Sequence, residues 1–297
     1  MPITVKEFFD PQTNTFAYVL SDDATSKAAL IDPVWIYNPA SSSTRMDFAQ
    51  QMLDYAHTQG LEIEWILETH AHADHLTAAA WLKQQTGAKT GIGAGVSQVQ
   101  ETFKILYNLE TGFATDGSQF DHLFSDNETF MLGKTEVTAM HTPGHTNDSM
   151  TYLCGNCAFV GDTLFMPDYG TARCDFPGGN SGKLYDSIQR IHALPEDTLL
   201  YMCHDYPPAG RGPEFVTTVA ESRNNNKHIH KGISRDEFIA MRDARDAKLG
   251  MPKLIWPSIQ INIRAGQEPP ADSNGAVYLK TPFNLDTGTL KLLSENQ

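Results

Sequence analysis

The chain has 297 residues, 36 of them acidic against 22 Lys and Arg, with a net charge of −14 and a pI near 5.1. That length allows one large domain or two around a sizeable core, and that charge makes nucleic acid and anionic membranes poor partners. No stretch approaches the apolar length a membrane-spanning helix needs.

The opening Met1–Asp10 lacks a basic segment followed by an apolar run, so no signal peptide is expected. The four cysteines do not form a secreted disulfide framework, and a reducing cytoplasm is the expectation. Ile3–Phe9, Phe16–Leu20 and Lys27–Ile31 read as short strands separated by turn residues. Thr44–Thr58 reads as a helix with Ala49, Met52, Leu53 and Ala56 on one face, stopped by Gly60.

Leu61–Thr69 reads as a strand because Ile63, Trp65 and Leu67 alternate with Glu62, Glu64 and Glu68. It runs into His70-Ala71-His72-Ala73-Asp74-His75, the pattern H-x-H-x-D-H. Imidazoles and a carboxylate at this spacing suit Zn, Fe, Mn or Ni, and the lack of thiolate argues against a closed structural zinc knot. A helix is expected over His75–Gln85, ended by Gly87, then a strand at Lys89–Ile92 and a helix at Val96–Leu106. Thr111–His122 has no period and is expected as loop.

Glu128–Thr142 reads as two strands around Gly133-Lys134 and ends in His141-Thr142-Pro143-Gly144-His145. Pro143 and Gly144 fix a sharp turn that can aim His145 away from the strand end. Met150–Leu153 and Ala158–Val160 read as a hairpin delivering Gly161-Asp162, and Thr198–Met202 as a strand delivering Cys203-His204-Asp205-Tyr206. Every candidate ligand thus falls at a strand end, as in a site on one edge of a sheet. Cys154-Gly155-Asn156-Cys157 spans the hairpin turn and has no second C-x-x-C, so it reads as structural. Cys174 and Cys203 adjoin candidate site residues but read as buried, inert thiols.

Gly170–Gly182 is a glycine-rich loop too long to be idle. Lys183–Leu194 is a helix with Leu184, Ile188 and Ile191 inward. Pro207–Gln297 reads as an extension packed on the core within one domain over 1–297, with a helix behind the capping box Ser234/Glu237 and an extended tail from Trp256.

The order H-x-H-x-D-H, P-G-H, G-D and a final strand-end histidine resembles the metallo-β-lactamase superfamily. The resemblance implies an α/β fold, the αββα sandwich, with metals at one edge of paired sheets. It also implies one metal on His70, His72 and His145, a second on Asp74, His75 and His204, and Asp162 between them. Two subfamilies compete. In glyoxalase II two metals, such as two Zn, hold a hydroxide that attacks a glutathione thioester. In persulfide dioxygenases one Fe(II) sits on the counterparts of His70, His145 and Asp162, a set of two His and one carboxylate that leaves positions open, and His72, Asp74, His75 and His204 would form a polar outer shell.

Glu68–Leu76, Gly161–Gly178, Cys203–Arg211 and Met251–Gly266 are similar to the persulfide dioxygenases, especially their bacterial branch. The function implied is oxidation of the terminal sulfur of glutathione persulfide by O2 at one Fe(II) per chain, with a homodimer allowed. Arg173, Asp175 and Tyr206 match the subfamily's motifs. Arg173, Tyr206, Arg211 and Lys227 are the substrate-binding candidates, because an anionic persulfide meeting an acidic protein needs a local cationic cluster. A third reading, a metal fold used for binding or nucleic-acid processing, lacks the basic stripe a nuclease requires.

Overall fold

The computed structural model describes residues 3–284. In chain order its strands and helices are β1 (Ile3–Asp10), β2 (Thr15–Asp22), β3 (Lys27–Ile31), β4 (Val34–Asn38), β5 (Ser43–Arg45), α1 (Asp47–Thr58), β6 (Glu62–Leu67), β7 (Leu76–Thr77), α2 (Ala79–Thr86), β8 (Lys89–Gly93), α3 (Val96–Leu106) and β9 (His122–Phe124). There follow β10 (Glu128–Leu132), β11 (Thr135–His141), β12 (Met150–Cys154), β13 (Cys157–Phe159), α4 (Ser181–His192), β14 (Leu199–Tyr201), β15 (Val216–Thr218), α5 (Val219–Asn225), α6 (Arg235–Asp246) and α7 (Ile255–Asn262).

Two six-stranded sheets carry the molecule, in the orders β1-β2-β3-β6-β8-β9 and β10-β11-β12-β13-β14-β15. Strand periodicity sends alternate side chains to opposite faces, and β2 shows the result. Phe16, Tyr18 and Leu20 enter the core between the sheets, where they meet Val137, Ala139, Tyr152 and Phe159 of the second sheet. Ala17 and Val19 point the other way, into a core shared with Phe48 and Met52 of α1 and Leu82 of α2. On the far side of the second sheet, Ala158, Leu200 and Met202 pack on Leu184 and Ile188 of α4 and Phe238 of α6. Helices therefore cover the outer face of each sheet, giving the αββα sandwich.

Several elements differ from the expectations. Thr44 sits in a strand, paired with Tyr37, so the helix expected from Thr44 starts at Asp47. The helix expected from His75 starts at Ala79, because Leu76–Thr77 pairs with Val34–Trp35 and holds the preceding loop in place. Gly87 ends it at φ 71°, as expected. His122 is not loop but opens a strand beside β8.

The largest departure is the tail from Trp256, which forms α7 and is buried along Ile255, Ile259 and Ile263. Pro257 hid it: proline reads as a breaker but is tolerated in a first helical turn. The capping box of Ser234 with Glu237 is present. The last part of the expected extension, 285–297, lies outside the described residues.

Candidate metal centre

The ligand candidates converge at one edge of the two sheets. His70, His72, Asp74 and His75 occupy the loop between β6 and β7, and His145 follows β11. Asp162 lies in a turn of 3-10 helix after β13, and His204 follows β14. Close backbone approaches fix these loops. Gly144 (φ 144°) lies so near Leu184 of α4 that a Cβ there would stand 2.3 Å from the Leu184 Cα. At Gly161 (φ 51°) a Cβ would meet the Thr69 side chain at 2.7 Å. Both positions combine positive φ with contact, which leaves glycine.

The ligand atoms form two groups: His70, His145 and Asp162 in one, His72, Asp74, His75 and His204 in the other, each with its atoms within 4.8 Å of one another. In the first, Asp162 Oδ2 is 4.0 Å from His70 Nε2 and 3.7 Å from His145 Nε2. Asp162 Oδ1 turns to the second group, 3.5 Å from His204 Nε2, which is 3.2 Å from Asp74 Oδ2. Asp162 thus faces both groups with different oxygens. The two-metal pattern of the superfamily had grouped His72 with His70 and His145; here it stands with Asp74, His75 and His204, the grouping that the dioxygenase resemblance implied.

The ring orientations are set from behind. His145 Nδ1 donates to the Arg173 carbonyl at 2.7 Å, and His204 Nδ1 to the Asn14 carbonyl at 3.2 Å. The Thr69 hydroxyl donates to Asp32 Oδ2, so it accepts from His70 Nδ1 at 3.1 Å. Each bond places the ring proton outward and leaves Nε2 free to face a cation. His72 is reversed: its Nε2 bonds Asp32 Oδ1 at 3.0 Å and lies 3.4 Å from Glu68 Oε2, so Nδ1 faces inward.

Six inward atoms have no hydrogen-bond partner: His70 Nε2, His72 Nδ1, Asp74 Oδ2, His75 Nε2, Asp162 Oδ1 and His204 Nε2. Buried polar atoms are normally paired, and six orphans aimed at one place fit a metal.

The electrostatics point the same way. Burial, then the neighbouring imidazoles, hold His70 well below its ordinary pKa, and burial lowers that of His75 too. Both favour the neutral ring a metal binds. For His72, burial also opposes the charge, but Asp32 outweighs it and raises the pKa well above the ordinary value. Burial raises the Glu68 and Asp148 carboxyls.

Asp32, Glu68, Asp148 and Asn262 escaped the sequence reading. Asp148 accepts the Ala71 N–H at 2.7 Å. The Asn262 amide donates to the carbonyls of His72 (2.7 Å) and His75 (2.8 Å) and accepts the Thr77 N–H (2.8 Å). The only local signal was a carboxylate at the end of an apolar strand, as in Ile31-Asp32-Pro33. Asn262 had none.

A cavity of about 320 Å³ opens over Asp74, His145 and Asp162, with Phe165, Phe176 and Tyr206 among its walls. Arg173 and Tyr206 line it, but the Arg173 guanidinium is committed, bidentate to Asp175 (2.6 Å each) and bonded to the Gly250 carbonyl. Arg211 is tied to Asp205 and Asp168 and does not line the cavity. Lys227 stands over the Tyr169 ring, its amine lowered by burial and then by nearby Arg245. At the mouth stand two exposed cations, Arg245 and Lys253.

The comparisons with known proteins agree with this geometry. The chain belongs to the metallo-β-lactamase superfamily, whose match spans residues 11–204. It is similar to a probable metallo-hydrolase of Burkholderia pseudomallei, 49% identical over 95% of this chain and 99% of that one. It is also similar to the mitochondrial persulfide dioxygenase ETHE1 of Bos taurus, 29% identical over 91% of this chain and 92% of that one. The crystal structure of ETHE1 from Myxococcus xanthus superposes with TM-score 0.70 at 31% identity, over 89% of this chain and all of that one. The chain is thus a superfamily enzyme with a metal-binding His/Asp cluster, similar both to a named hydrolase and to named dioxygenases. No helix among the described residues is long and apolar enough to cross a membrane.

Proposed function

We propose that the protein is a persulfide dioxygenase that converts glutathione persulfide, O2 and water into glutathione, sulfite and protons. Its working metal is a single Fe(II) on His70, His145 and Asp162. The observation that carries the reading is the separation of the ligand atoms. His70, His145 and Asp162 form a set of three, reached through Asp162 Oδ2, while His72 is bound on its far side by Asp32 and Glu68 and stands with the other residues. Two imidazoles and one carboxylate leave coordination positions open, and the cavity reaches His145 and Asp162 from that side. When bound there, Fe(II) supplies the electrons for oxygen chemistry, which zinc cannot.

The chain's own residues then bind and orient. Arg245 and Lys253 offer the positive charge an anionic persulfide needs at the mouth, in place of Arg211 and the committed guanidinium of Arg173, while Lys227, which does not line the cavity, stands behind its wall residue Tyr169. Phe165 and Phe176 exclude water around the reacting sulfur. Tyr206 stacks on His204, with ring centroids 5.9 Å apart, and narrows the approach.

The hydrolase reading, two metals and a thioester, is favoured by the inward Nδ1 of His72 and the second group of ligands. An oxygen electrode separates the two. Iron-loaded protein given glutathione persulfide is expected to consume oxygen and release sulfite in step. Rapid cleavage of a glutathione thioester under nitrogen, without oxygen uptake from the persulfide, assigns the protein to the hydrolases.

A further inference from the structure

The carbonyl that accepts His145 Nδ1–H belongs to Arg173, in a loop with no regular structure of its own. A loop carbonyl orients a ring only if the loop itself is held, and here the holding groups come from the C-terminal extension. The Asn226 amide donates to the Gly170 carbonyl at 3.0 Å, and His228 Nδ1 accepts the Thr171 N–H at 3.0 Å. From α6, Arg242 Nη1 donates to the Thr171 carbonyl at 3.1 Å, and Asp246 Oδ2 accepts the Cys174 N–H at 2.8 Å.

The last of these bonds falls on the critical peptide. The Cys174 N–H and the Arg173 C=O are the two ends of one planar group and point in opposite directions. Asp246 holds one end, so the other is aimed at His145 and the plane cannot rotate. Asp246 is held in turn, since Arg242 Nε and Nη2 donate to its Oδ1 at 3.0 and 2.6 Å. Both residues are buried. A buried ion pair is weak evidence for stability, because desolvation offsets the attraction. This one commits its remaining polar atoms to the loop on either side of Arg173.

We propose that Asp246, fixed by Arg242, is a positioning residue for the candidate ligand His145. It acts through the Arg173–Cys174 peptide, whose carbonyl keeps the His145 proton on Nδ1 and so leaves Nε2 to the metal. The C-terminal extension thereby sets the geometry of the first group of ligands without touching it. His145 is a ligand in the dioxygenase and the hydrolase alike, so the inference depends on neither reading.

The test replaces both residues together in the full-length protein, Arg242→Met with Asp246→Leu, because removing one alone strands the other charge. Arg242 also borders the cavity, so the readouts are the ring and the metal, not KM. Imidazole nitrogen NMR of the metal-free wild type, at a pH well above the ordinary imidazole value of about 6.5, is expected to show His145 as the Nδ1–H tautomer alone. In the paired variant the two tautomers mix, and Fe(II) added without oxygen binds about tenfold more weakly, as loss of an outer partner costs. The exposed pair of Arg235 with Asp186 of α4 is the control, and Arg235→Met with Asp186→Leu leaves both readouts at wild type. A folded paired variant whose His145 stays wholly Nδ1-protonated overturns the proposal, and so does an unchanged Fe(II) affinity. If the paired variant does not fold, hydrogen exchange of the wild type decides. A Cys174 amide as slow as those within α6 supports the clamp, and one exchanging like an open loop overturns it. Oxygen uptake enters neither readout, so the dioxygenase reading can fail separately.

Discussion

His70, His145 and Asp162 on one side, and His72, Asp74, His75 and His204 on the other, are built from the same residue types within one site, yet their surroundings differ. The first group is open: two of its three residues line the cavity, and its rings are oriented by a carbonyl and a threonine hydroxyl that carry no charge. In the second, Asp32 and Glu68 clamp His72 from behind, Asp74 stands against His75 Nδ1 and the inward Nε2 of His204, and only His204 is backed by a neutral carbonyl. The difference teaches that ligand identity alone does not give each residue its work. A ring backed by a neutral acceptor is presented to a cation and a substrate, whereas a ring clamped by carboxylates holds charge and geometry for its neighbours.

The largest effect expected from this comparison is at Asp162, the residue common to both groups. Asp162→Ala should lose iron on dialysis, a deficit beyond the roughly 10–100-fold that loss of an outer partner costs. Iron content equal to wild type would separate the carboxylate from the metal. On the enclosed side, Glu68→Gln removes the charge beside His72 Nε2, and the Glu68 side chain makes no hydrogen bond to the first group. Activity should fall roughly 10–100-fold while most of the iron stays; iron loss as complete as in His70→Ala would erase the distinction between the groups.

The strand ends that carry the ligands were legible because alternation fixes a strand and a short polar run after it fixes the loop. The stretch Leu61–Thr69 was read as a strand, and Glu62–Leu67 is one. The seven ligand candidates were legible because they cluster in sequence or follow turn residues. Their sorting into two groups was not legible in the spacing and entered only as what the dioxygenase resemblance implies, since in the fold it depends on Asp32 and Glu68 approaching His72 from behind. Helix α7 was hidden by Pro257, and the contact of Asn262 with His72 joins residues 190 apart. Arg173 and Arg211 were read as free cations because sequence does not show Asp175, Asp168 and Asp205 folding against them.

That correction yields a smaller prediction. Arg245→Ala should raise KM for glutathione persulfide about tenfold, roughly 1.4 kcal/mol, with iron content unchanged. An unchanged KM would remove the cavity mouth from substrate recognition.

The smallest effect concerns His192, a buried imidazole outside both groups whose ring bonds Ser222. Burial, then Arg223, lowers its pKa to about 4. The folded state keeps this ring neutral while the unfolded chain protonates below about 6.5, so its contribution is present above that pH and lost as pH falls toward 4. Denaturant unfolding should show about 1 kcal/mol less stability at pH 5.5 than at pH 7 from this residue. His192→Asn should flatten the slope, and an unaltered slope would assign it to other groups.

The most direct test of the central claim is the metal content of the purified protein, read against oxygen uptake with glutathione persulfide. The account predicts one iron per chain, with uptake rising in proportion to iron and ceasing when iron is removed. Two zinc ions per chain, with full thioester hydrolysis and no oxygen uptake after iron loading, would contradict it.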